Sequence, residues 1–96
     1  MLKHIVFMKF KPTTQEADIV DLEKSLGALP DVIPEIKGYE FGRDIVKTDR
    51  SYDFALVSAF EDLDALKGYQ LHPEHMLVLE KVKKLVEDIR AVDYLV

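Results

Sequence analysis

Ser51-Tyr-Asp-Phe-Ala-Leu-Val-Ser-Ala-Phe-Glu-Asp-Leu-Asp-Ala-Leu-Lys-Gly-Tyr-Gln-Leu-His-Pro-Glu-His75 runs from an apolar strand into helical sequence, breaks at His72-Pro73 and restarts with His75. Tyr52 to Phe60 reads as a strand, rich in aromatic and β-branched residues. Asp62 to Tyr69 reads as a short helix with an acidic start. Pro73 suits the first turn of a second helix, where its missing N–H costs nothing. Two of the three histidines and one of the four tyrosines fall between Tyr69 and His75. Proton-transferring side chains are therefore concentrated where two helices meet.

The flanking sequence completes the plan. Leu2 to Phe10 is strand-like, and Lys11-Pro12-Thr13-Thr14 ends it. Thr13 with Glu16 fits a capping box for a helix whose apolar stripe is Ile19, Leu22, Leu26 and Leu29. Pro30 and Pro34 are expected to terminate that helix. Ile36 to Val46 is a second extended segment, in which Gly38 and Gly42 signal a bulge or bend. Thr48 to Ser51 is a turn. Val78, Val82, Leu85, Val86 and Ile89 form the stripe of the last helix, and Ala91 to Val96 closes the chain as a fourth strand. The order predicts a single α+β domain over residues 1–96, ferredoxin-like βαββαβ, with an antiparallel four-stranded sheet and its helices on one face.

The strands depart from simple alternation. A sheet covered on one side should alternate apolar and polar residues. Strand one instead offers Val6, Met8 and Phe10 on one face and Ile5 and Phe7 on the other. Strand three sets Phe54, Leu56 and Phe60 against Ala55, Val57 and Ala59. A second subunit's sheet over the free face resolves this, giving a homodimer with a barrel-like interior. The alternative is a monomer with an unusually apolar open face.

Bulk properties exclude several functions. With 96 residues the chain makes one domain of modest core, for which oligomerisation is a common support. The net charge of -5 and the scattering of its 13 basic residues argue against nucleic acid. Lys81, Lys83 and Lys84 read as a solvated helix face. There is no cysteine, so disulfides, thiolate metal sites and a Cys nucleophile are excluded. No apolar run approaches the roughly 18 residues of a membrane span, and the N-terminus lacks a signal peptide's pattern. A cytoplasmic protein is expected. No phosphate loop, dinucleotide fingerprint or nucleophile elbow occurs.

Three residues are candidates for chemistry. His4 shares a strand face with Val6 and Met8 and reads either as a satisfied core histidine or as the wall of an inter-sheet chamber. His75 lies near the buried stripe of its helix and in the first turn, where the macrodipole disfavours imidazolium and favours a neutral base. Tyr69 either packs against the sheet or orients a substrate oxygen. His72, before Pro73, reads as a capping or packing residue. A zinc site from His4, His72 and His75 is disfavoured, because helical zinc pairs more often use i, i+4 spacing.

The opening Leu2-Lys-His-Ile-Val-Phe-Met-Lys-Phe-Lys11 and the run Tyr52-Asp-Phe-Ala-Leu-Val, Phe60 and Tyr69-Gln-Leu-His-Pro-Glu-His75 resemble the stress-responsive A/B barrel domain (Dabb) family, over essentially all of the chain. The resemblance implies a dimeric α/β barrel that needs no cofactor. In cyclase-like members the last histidine of the motif is the base and the motif tyrosine assists, which corresponds to His75 and Tyr69 here, with His4 in the same pocket. Those members carry a further pocket histidine where this chain has Phe54. Some members hold magnesium through backbone carbonyls, and the corresponding segment is Pro30 to Ile36. Two functions follow as expectations. One is a stress-related or unassigned protein binding a small apolar or aromatic ligand. The other is a cofactor-independent enzyme, polyketide cyclase-like or monooxygenase-like, with His75 as general base.

Overall fold

The computed structural model covers residues 1–96 and contains β1 (Leu2–Phe10), α1 (Glu16–Val32), β2 (Gly38–Arg43), β3 (Phe54–Phe60), α2 (Leu63–Leu71), α3 (Pro73–Leu85) and β4 (Val86–Leu95). The strands form one antiparallel sheet in the order β2-β3-β1-β4. This is the ferredoxin-like α+β plan. The helices cover one face: Leu22, Leu26 and Leu29 of α1, Leu66 and Tyr69 of α2, and Val78 and Val82 of α3 pack on Leu2, Val6, Met8, Phe54, Leu56 and Phe60. No helix is long and apolar enough to cross a membrane.

Local chemistry explains most element ends. Asp62 caps α2, its carboxylate accepting from the Ala65 N–H at 2.9 Å. His72 caps α3, its Nδ1 accepting from the Glu74 N–H at 3.1 Å, and Pro73 opens that helix. At Gly38 an added Cβ would lie 3.4 Å from the Ala59 side chain, an ordinary contact, so the pairing of β2 with β3 does not depend on a bare backbone there.

Five boundaries differ from the sequence reading. The start of α1 is fixed by Gln15 and Asp18 rather than by Thr13 and Glu16: the Asp18 carboxylate accepts from the Gln15 N–H at 3.0 Å. Glu16 instead faces the Arg43 guanidinium at 2.8 Å. Pro30 lies inside α1 and does not end it, because in the last turn it removes only one N–H from the ladder. The helix closes with the Ile33 N–H on the Leu29 carbonyl at 2.9 Å, just before Pro34. β2 is shorter than Ile36 to Val46 and pairs without a bulge; the register shift falls instead at Lys9/Phe10, between β1 and β4. β3 begins at Phe54, since Asp53 turns its carboxylate onto the Phe10 N–H at 2.8 Å.

The largest difference is at the C-terminus. Val86 and Ile89 belong to β4 and not to the last helix. α3 passes directly into the strand at Leu85/Val86, and β4 then pairs with β1 along its whole length, from Leu2↔Leu95 to Phe10↔Val86. A β4 confined to Ala91–Val96 would leave half of β1 without a partner on that side, with buried backbone groups unsatisfied.

Leu22 is fully buried where α1 meets the sheet. Leu22→Ala is expected to lower the unfolding free energy by about 3 kcal/mol, the usual cost of a buried leucine with its cavity. Chemical denaturation measures it; a loss within about 0.5 kcal/mol of zero, typical of surface sites, contradicts this packing.

Candidate functional site

The register places four polar residues opposite one another across the whole sheet. Tyr39 of β2 faces Ser58 of β3, Ser58 faces His4 of β1, and His4 faces Asp93 of β4. All four lie on the helix-covered face. The adjoining rows on that face are apolar: Phe41, Leu56, Val6 and Ala91 on one side, Phe60, Leu2 and Leu95 on the other. A polar row inside an apolar face is costly unless its members are paired. His4 Nδ1 is hydrogen-bonded to the Asp93 carboxylate, and Ser58 Oγ donates to the His4 carbonyl at 3.0 Å. The Tyr39 and Tyr69 hydroxyls are 2.9 Å apart.

Above this row the break between α2 and α3 brings in Tyr69 and His75. Tyr69 is buried near the end of α2, with its ring 4.9 Å from Phe60. The His75 ring packs against Tyr69 at 4.3 Å. His75 Nδ1 lies 3.2 Å from the Gln70 carbonyl, which can only accept, so Nδ1 carries the proton and Nε2 is left as the acceptor. The same reasoning applies to His4: an ionised Asp93 holds the proton on Nδ1 and leaves Nε2 available.

His4, Tyr69 and His75 all line one cavity of about 330 Å³, whose walls are otherwise mostly apolar, among them Val6, Leu56 and Val82. On the β4 side its border is Ile89, which is 47% exposed, and Ala91, so solvent reaches it there. The cavity lies between the sheet and the helices of a single chain. This corrects the expectation of an inter-sheet chamber, because the face carrying His4, Val6 and Met8 is the one the chain's own helices cover. Ile5 and Phe7 point to the uncovered face, where Phe7 is 41% exposed.

Burial pushes the His75 pKa below its ordinary value of 6.5; the Gln70 carbonyl opposes this, and the nearby His4 and His72 add to it. Burial raises the Tyr69 pKa, while the hydrogen bond from Tyr39 pulls it back. Tyr39 is raised far above 10, first by burial and then by the neighbouring Tyr69. Both phenols are neutral at ordinary pH.

The remaining sequence candidates are placed elsewhere. His72 is occupied as a helix cap and does not line the cavity. No group of three or more His, Cys, Asp or Glu is arranged to hold a metal ion. In the Pro30 to Ile36 segment the Ile33 carbonyl already accepts from the Ile36 N–H at 3.2 Å, and Glu35 lies against Gly68, outside the cavity. Phe54 is packed between Phe41 and Phe10, with ring centroids at 5.8 and 5.9 Å, and contributes nothing to the cavity wall. Sequence reasoning missed Asp93, Ser58 and Tyr39. The available signal was a lone acidic residue in the apolar run Ala91-Val-Asp-Tyr-Leu95, but its link to His4 needs the β1–β4 register.

The chain matches the stress responsive A/B barrel domain over residues 2–96 and belongs to that family. It is similar to olivetolic acid cyclase of Cannabis sativa, 25% identical over 95 residues that cover 97% of this chain and 94% of the relative. It is likewise 25% identical to a stress-response A/B barrel domain-containing protein of Arabidopsis thaliana, covering 97% of this chain and 87% of that one. A crystal structure of a dimeric ferredoxin-like protein from Thermobifida fusca superimposes with a TM-score of 0.91 at 30% identity, over 99% of this chain and 90% of the other.

His75 is expected to titrate below 6.5, measured by NMR of its ring protons. Just below 6.5 the unfolded chain then binds more protons than the folded one, so stability falls as pH is lowered from 6.5 toward the folded-state pKa. Replacing His75 by Gln should remove that part of the slope. A midpoint at or above 6.5 contradicts the burial of the ring.

Proposed function

We propose that this member of the A/B barrel family is a homodimer whose subunits each bind a small, largely apolar molecule bearing an oxygen function. The observation that carries this reading is the cavity: about 330 Å³, mostly apolar, with His4, Tyr69 and His75 among its few polar groups. Concave apolar sites with a small number of placed polar groups are the usual form of ligand pockets. The apolar walls take an aromatic ring or alkyl chain, and the imidazoles and phenol take its oxygen. The stress-related role carried by the family's name is compatible with such binding.

The dimer is supported by the uncovered sheet face, where Ile5 and Val57 are half-buried and Phe7, Val92 and Tyr94 are exposed. It is also supported by structural neighbours described as dimeric. Sedimentation at micromolar concentration should give a species of twice the 11.0 kDa chain mass. A species of 11.0 kDa would overturn it.

A second reading, cofactor-independent proton transfer, is favoured by the state of His75. Its depressed pKa makes it a neutral imidazole with Nε2 free, which is what a general base near neutral pH requires. In this reading His75 removes a proton from carbon or oxygen of the bound molecule. Tyr69 donates a hydrogen bond to the developing oxyanion, the protonated His75 returns the proton, and His4, its Nδ1–H held by Asp93, presents Nε2 to the cavity as an acceptor for a hydroxyl of the bound molecule. The kinship with olivetolic acid cyclase supports an aromatic or polyketide-like substrate class.

A thermal-shift screen of phenols and aryl ketones tests both readings. Ligands are expected that raise the melting temperature of the wild type and do so less with His75→Ala or Tyr69→Phe. Shifts identical in all three proteins would rule the cavity out as the binding site.

A further inference from the structure

Tyr39 is the one member of the polar row that neither lines the cavity nor bonds to another member of it. Its only hydrogen-bond partner is the Tyr69 hydroxyl, 2.9 Å away, and the two rings meet edge-on with centroids 6.1 Å apart. Tyr69 does line the cavity. A residue in this position cannot touch a ligand, but it can decide which way the Tyr69 proton points.

Each phenol has one proton to donate, so the pair has two arrangements. If Tyr69 donates to Tyr39, the Tyr69 oxygen faces the cavity only as an acceptor. If Tyr39 donates to Tyr69, the Tyr69 proton is released to the cavity. An anionic or strongly accepting oxygen in the cavity selects the second arrangement, because only then are both protons used. Each bond also polarises the next, so the outer phenol strengthens the inner donor. We propose that Tyr39 is a positioning residue that makes Tyr69 a committed hydrogen-bond donor, building a Tyr39→Tyr69→ligand-oxygen relay tuned for phenolate or enolate oxygens. This deepens the ligand-binding reading above and rests on it.

Two titratable groups lie close to the pair. His75 packs on the Tyr69 ring, and the Glu35 carboxylate lies against Gly68.

The test uses the whole chain with 3,5-difluorotyrosine in place of tyrosine, which brings phenol ionisation into an accessible range for fluorine NMR. Tyr69 is assigned through Tyr69→Phe and titrated above the range in which His75 ionises. Tyr39→Phe keeps the ring and removes only the hydroxyl. It is expected to lower the Tyr69 phenolate population roughly tenfold at fixed pH, the size of a hydrogen bond to a charged group. An unchanged or increased population would overturn the proposal.

In parallel, 4-nitrophenolate and nitrobenzene are titrated against wild type and Tyr39→Phe. The phenolate should bind roughly five- to tenfold more weakly to the variant, and nitrobenzene equally well to both. Equal weakening of both probes would mean that Tyr39 acts through packing alone, and no weakening of either would mean that it does not act; both outcomes overturn the relay. If 4-nitrophenolate fails to bind the wild type, the oxygen-ligand reading of the cavity falls, and the fluorotyrosine titration still decides the link between Tyr39 and Tyr69.

Discussion

The register of β1 against its two neighbours is the constraint on which the rest depends. β1 is central, paired with β3 on one side and β4 on the other. Strand side chains alternate faces, so a slip of one residue would send His4 to the uncovered face and bring Lys3 or Ile5 under the helices. The pairings His4↔Ser58 and His4↔Asp93 are thus both a product of the fold and a reason for its register. An apolar slip is merely unfavourable; a slip that strands a half-matched polar row under helices is worse.

Two imidazoles reach the cavity from opposite layers, and both are anchored in the same manner. His4 is held from the sheet by a carboxylate on the neighbouring strand, and His75 from the helix layer by a main-chain carbonyl. In each, Nδ1 is committed and Nε2 is not. The two anchors differ in charge, and that gives the site its asymmetry. His4 is held by a charged side chain, while a carbonyl and a desolvated ring keep His75 neutral. Phe54, Phe41 and Phe10 pack together at the Met8 end of the covered face, away from the cavity. The polarity of the site is therefore concentrated in one row and in the helix break above it.

Much of this was legible in the residues. The strand of β1, the α1 stripe, the short helix after Phe60 and the Pro73 helix start each have a local cause within a few residues. What failed was non-local. Val78, Val82, Leu85, Val86 and Ile89 satisfy a helical period, and only the need of β1 for a second partner pulls the last two into a strand. The family motif brought His4, Tyr69 and His75 into one group, and they do share a cavity. Asp93, Ser58 and Tyr39 are all distant from His4 in sequence and carry no mark of the row they form. The side of the sheet on which His4 lies was also illegible, because both faces of β1 and β3 are apolar enough to be covered.

That ambiguity has a physical origin in the size of the domain. A chain of 96 residues has three helices to cover four strands, and they cover one face. On that face they leave β4 largely bare, so Ile89 and Ala91 border an open cavity rather than a sealed core. α3 ends at Leu85, and the chain passes directly into the strand that carries Asp93. The chain thus gives up core at its edge strand to place a carboxylate behind His4. The apolar side chains left on the other face, Ile5, Phe7 and Val57, are the counterpart of that choice: stability that one subunit does not supply is available from a second sheet. The open cavity and the dimer proposed above then share one origin, the incomplete cover that three helices give to four strands.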